Sequence, residues 1–80
     1  MELRVLGPGC MNCQKLAANA EAAARELGVE YRLEKVTDFA AILSHGVRRT
    51  PALAVNGKVV VQGRVPGADE IMSLLAQEMV

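Results

Sequence analysis

The sequence predicts an α/β fold of order βαβαββα, with a four-stranded mixed sheet and three helices on its two faces. Three observations lead to it. Polar–apolar alternation near residues 2–6 and 29–36 reads as two strands, and the stripe between them recurs at spacings of three and four, as a helix does. Asn56-Gly57 between two apolar runs marks a hairpin. Gly and Pro punctuate the boundaries between segments.

In the first strand Glu2 and Arg4 alternate with Leu3 and Val5, and Gly7, Pro8 and Gly9 stop it. A helix is expected from about residue 11 to 27, with Leu16, Ala20, Ala23, Ala24 and Leu27 on one side and Lys15, Glu21, Arg25 and Glu26 mostly on the other. Gly28 is a natural stop in the left-handed conformation. Val29 to Val36 alternates again, although Lys35 breaks the pattern near its end. Thr37 is placed to cap a short helix reaching about His45, with Asp38 in its first turn. His45 reads as a helix-end residue whose charge the carbonyl dipole favours, not as a catalytic base. Ala52 to Val55 and Val59 to Val61 are the arms of the hairpin. The last helix begins near Ala68, with Ile71, Leu74, Leu75 and Met79 as its buried stripe. The first two strands, joined by a helix, should be parallel, and the hairpin antiparallel in the same sheet.

Eighty residues are read as one domain, 1–80, with a modest core. Nine basic and nine acidic residues cancel, and no basic stripe carries interleaved aromatics. Nucleic-acid binding therefore has no support. Apolar runs are too short to span a membrane. The start, Met-Glu-Leu-Arg-Val-Leu-Gly, lacks the features of a secretory signal. A cytoplasmic setting is expected, where thiols are usually kept reduced.

Both cysteines lie in Gly-Pro-Gly-Cys-Met-Asn-Cys, residues 7 to 13. Such a pair exchanges disulfides, binds a metal or staples a turn. The staple is the weakest reading: closing a loop this short stabilises by about 2 kcal/mol, against about 3 for a loop of fifteen residues. Structural zinc wants four protein ligands, and the chain offers Cys10, Cys13 and one histidine. Copper(I) is the better metal rival, since two soft thiolates satisfy it. Small copper chaperones also place Cys-x-x-Cys between a first strand and a first helix, but run βαββαβ. Element order separates the two readings.

Thiol exchange needs a thiolate open to water. Cys10 falls just before the first helix, where unpaired N–H groups and the helix dipole favour a negative charge. Cys13 falls one turn inside. The expected roles are attack by Cys10 and resolution by Cys13.

Thr50-Pro51 opens the third strand. With LGPGCMNC, ELGVEYRLEKVTD and GVRRTPALAVNGKVV followed by GRVP, the chain resembles the thioredoxin superfamily. It is most similar to the small prokaryotic group of redox-active disulfide proteins. The resemblance covers nearly the whole length. It implies a minimal thioredoxin-like fold without the extra N-terminal elements of full thioredoxins. It implies Cys10 as nucleophile and Cys13 as resolving thiol, with Pro51 cis and the Thr50 backbone receiving substrate. Gly63 matches a position where a missing side chain opens the substrate groove.

Met11 is either an apolar contact for substrate or a packing residue. Arg48 and Arg49 either raise the thiolate population, steer an acidic partner or form solvated surface. The expected partners are a disulfide-containing protein substrate and an upstream disulfide reductase. No cofactor beyond the Cys10–Cys13 disulfide and no metal are expected, and the protein is expected to act as a monomer. The alternatives are a copper(I) carrier and a non-catalytic interaction module. The sequence also departs from typical thioredoxins. Met11-Asn12 replaces Gly-Pro, Gly9 replaces a tryptophan, and Arg4 stands six residues before Cys10, where a buried acid is usual.

Overall fold

Seven elements follow one another in a computed structural model that describes residues 1–79. They are β1 (Glu2–Leu6), α1 (Met11–Leu27), β2 (Arg32–Val36), α2 (Phe39–Ser44), β3 (Ala52–Val55), β4 (Lys58–Gln62) and α3 (Ala68–Glu78). The order is the expected βαβαββα, and the sheet is mixed, arranged β2-β1-β3-β4. β1 runs parallel to β2, and β3 runs antiparallel to both β1 and β4.

Strand periodicity sorts the core into two layers. Leu3 and Val5 of β1 join Leu53 and Val55 of β3 on one face, packed with Leu16, Ala20 and Ala24 of α1 and Ile71 and Leu75 of α3. On the other face Leu6, Ala52 and Ala54 meet Ile42 of α2 and Val47. β1 and β3 are the two inner strands. β3 is covered on both faces, which is why Ala52–Val55 is apolar without alternation.

α1 ends as its sequence predicts. Gly28 takes φ 70° and ψ 25°, and its N–H reaches back to Ala24 and Arg25 carbonyls. Among the described residues, no helix is long and apolar enough to cross a membrane.

Four boundaries differ from expectation. β2 begins at Arg32, not Val29, because the Val29 N–H still bonds the Ala24 carbonyl and the first β1 partner, Glu2, lies opposite Arg32. α2 is capped by Asp38 and not by Thr37: the Asp38 carboxylate accepts the Ala41 N–H at 3.0 Å. β4 gains Lys58 and Gln62, with Val60 the extra residue of a bulge opposite Leu53 and Ala54. Met79 lies beyond α3 and is exposed, while Leu74 packs at the edge of the core.

His45 also differs. Its Nδ1 donates to the Ala41 carbonyl at 2.8 Å, and the Arg4 guanidinium donates to Nε2 at 3.4 Å. A carbonyl only accepts and a guanidinium only donates, so these partners suit the Nδ1–H tautomer. Arg4 further faces the carboxylates of Glu2 and Glu34, each at 3.9 Å. Its side chain thus stitches β1 to α2 and β2.

Candidate active site

Strand register gathers the chemistry at one end of the sheet. Leu6, the last residue of β1, lies opposite Val36 on β2 and Ala52 on β3, and Ala52 lies opposite Gln62 on β4. The chain just beyond each of these residues therefore meets along one rim. It supplies Thr37, then Gly7 to Cys10, then Thr50 and Pro51, then Gly63.

Gly7 is the hinge of this rim. Its N–H bonds the Val36 carbonyl at 2.9 Å, so its backbone stays in line with β1. A β-carbon on Gly7 would overlap the Cys13 sulfur and stand 3.6 Å from the Thr50 β-carbon. Only a hydrogen fits, and Cys13 and Thr50 thereby close on the same point from two elements. Gly9, at φ 89°, then turns the chain into α1.

Cys10 is the N-cap of α1, with extended backbone, and is exposed. Cys13, one turn in, is only 5% exposed. Both thiols are free, and their sulfurs lie 2.9 Å apart. The hydrogen bond from the Cys13 S–H is the main reason the Cys10 thiol sits below its ordinary pKa. The Cys13 and Asn12 amide N–H groups face the same sulfur and add to the effect, without closing a capping hydrogen bond. Burial pushes the Cys13 thiol up, and its bond to Cys10 pushes it further. The pair is thus asymmetric: the more acidic sulfur lies at the surface and the less acidic one beneath it.

A cleft of about 230 Å³ reaches Cys13 from the β2 side, lined by Val5, Gly7, Gly9, Gln14, Lys35 and Thr37. Arg4, the residue in place of the usual acid, does not line it. On the other flank, the Thr50–Pro51 peptide is cis; Pro51 is buried and Thr50 exposed. Neither backbone group of Thr50 is hydrogen-bonded to another backbone group among the described residues. The Gly63 N–H donates to the Pro51 carbonyl at 2.9 Å. Met11 is 72% exposed beside Cys10 and packs against nothing that buries it.

The rim therefore brings Cys10, Cys13, Met11, Thr50, Pro51 and Gly63 to one end of the sheet. Gly63 differs in detail. The space its missing side chain leaves is occupied, because a β-carbon there would stand 3.1 Å from both Cβ and Cδ of Arg49. Sequence reasoning passed over Gly7, Lys35 and Thr37. Gly7 read only as punctuation, and the other two carry no motif. Among the described residues, no group of three or more His, Cys, Asp or Glu side chains is placed to hold a metal ion.

A family model described as a thioredoxin domain matches residues 1–76. The chain belongs to the thioredoxin family. Similar chains include a thioredoxin of Methanothermobacter thermautotrophicus, 40% identical over 76 residues, covering 95% of this chain and 99% of that one. Another is a thioredoxin of Methanocaldococcus jannaschii, 35% identical over 69 residues, covering 86% of this chain and 79% of that one. Membership identifies the protein in general terms as a thiol–disulfide oxidoreductase. The fold is the minimal form of the thioredoxin architecture, a four-stranded mixed sheet with three helices.

Proposed function

We propose that the protein reduces protein disulfides by dithiol exchange, with Cys10 as the attacking thiol and Cys13 as the resolving one. The observation that carries this is the asymmetry of the pair. Cys10 is exposed with a lowered pKa, and Cys13 is buried with a raised one, 2.9 Å away.

Exchange follows in two displacements. The Cys10 thiolate attacks one sulfur of the substrate disulfide. A Cys10–substrate bond forms, the substrate bond breaks, and the departing sulfur takes a proton. Cys13 then loses its proton and attacks the Cys10 sulfur. The Cys10–Cys13 bond forms, the mixed disulfide breaks, and the second substrate sulfur leaves and is protonated. The substrate has gained two electrons and two protons, and the dithiol has lost them. The cleft beside Cys13 gives its proton a way to solvent. An external dithiol, delivered by a disulfide reductase, returns the protein to its starting state.

The substrate main chain docks along Thr50, whose backbone groups make no backbone hydrogen bond among the described residues, while Pro51 offers no N–H of its own. Met11 adds apolar contact on the Cys10 side. A cytoplasmic location suits a protein that must be kept as a dithiol.

The test mixes reduced protein, freed of small thiols, with a disulfide-bonded protein and counts thiols on both. One substrate disulfide should disappear for each Cys10–Cys13 disulfide formed. Substrate that keeps its disulfide while Cys10 and Cys13 stay reduced would refute the proposal.

A further inference from the structure

Among the described residues, the ion pairs engage Arg4, Arg25, Lys58 and Arg64. Arg48 and Arg49, which lead into Thr50, form none. Lys35, on the opposite flank of the rim, forms none either and lines the cleft beside Cys13. Of the acids beside Lys35, Glu34 faces Arg4 at 3.9 Å and Asp38 has its carboxylate turned to the Ala41 N–H. In a chain of zero net charge, three cations without an ion-pair partner among the described residues, Lys35, Arg48 and Arg49, thus lie on the segments that form the rim.

Arg49 is also held in place. Its stem lies across Gly63, where a β-carbon would crowd both its Cβ and its Cδ at 3.1 Å. Gly63 takes φ 72° and is bonded through its N–H to the Pro51 carbonyl. The Arg48 N–H is bonded to the Gln62 side-chain oxygen at 2.9 Å, which ties the same loop to the end of β4. Two contacts thus hold the stem of Arg49, whose guanidinium forms no ion pair among the described residues, beside the turn that bonds Pro51. A long side chain already ordered on a glycine loses less freedom on meeting a partner than one free in solvent.

We propose that Arg49 is a specificity-determining residue that favours substrates carrying a carboxylate beside the disulfide, with Lys35 as a second cation on the far side of the thiols. The inference rests on the exchange proposed above and names the substrate class of that site. The guanidinium offers paired N–H donors that match a carboxylate, and the field of these cations speeds the encounter.

The experiment uses three peptides that share one intramolecular disulfide and differ in the residue next to it: Glu, Gln or Lys. The rate at which reduced protein oxidises is followed for each. The expected order is Glu over Gln over Lys, with about a three- to fivefold gap between the first two at low salt. Raising the salt to about 1 M, where screening acts over about 3 Å, should close the gap. R49Q should bring the Glu-to-Gln ratio close to one, and R49K, which keeps the charge but not the paired donors, should keep part of the gap. Equal rates for all three peptides in the unaltered protein overturn the proposal. So does an R49Q variant that slows all three by one common factor, because that marks an effect on Cys10 or on folding. Exchange with none of the peptides would refute the redox reading itself, a result distinct from unselective exchange.

Discussion

At the scale of single residues, the two sulfurs differ because their surroundings differ. Cys10 owes its low pKa first to the S–H of Cys13, so removing that donor should move it. The rate of Cys10 alkylation follows its thiolate, and a lowered pKa shifts the pH midpoint of that rate downward. In Cys13→Ala the midpoint should rise toward that of an ordinary thiol, about 8.5; an unchanged midpoint would assign the shift to the helix end alone. Gly7 makes a second test. Gly7→Ala places a methyl group on the Cys13 sulfur, and overpacking of this kind costs about 1–3 kcal/mol, read as a lower urea midpoint. The cysteine roles were legible in sequence because spacing and helix position set them. Gly7 was not, because its need is steric and arises from an atom on another element. Gly63 was legible as a glycine beside the site but not for its reason, since the Arg49 stem that fills its place comes from a different loop.

At the scale of elements, pattern located all seven and misjudged ends where partners decide. β2 begins only at Arg32 because pairing needs a neighbour, and the neighbouring strand starts only at Glu2. Sequence alternation continues upstream without it. α2 starts after Asp38 because the Asp38 carboxylate, one residue later than the expected cap Thr37, takes the Ala41 N–H. That leaves Thr37 to line the cleft beside Cys13. Asp38→Ala removes the hydrogen bond to the Ala41 N–H and should cost about 1 kcal/mol in chemical unfolding. A loss near zero would show that burial of Ile42, not the cap, holds this short helix. Leu16→Ala tests the other face. Leu16 is fully buried between sheet and helices, and the change should cost about 2–5 kcal/mol.

At the scale of the whole molecule, the sheet order sets the function. Because β1 is parallel to β2 and antiparallel to β3, the end of the first strand, the start of α1 and the entry to β3 share one edge. That edge is where both thiols and Thr50 meet. The order βαβαββα, with a helix after the second strand, is also what distinguishes this chain from a copper chaperone of order βαββαβ. The central claim, that Cys10 attacks and Cys13 resolves, is tested most directly by mass spectrometry of Cys10→Ser and Cys13→Ser, each mixed in reduced form with a disulfide-bonded protein. Cys13→Ser should accumulate a covalent complex joined through Cys10 and released by reductant, while Cys10→Ser should remain uncoupled. A complex formed by Cys10→Ser and absent from Cys13→Ser would contradict the account.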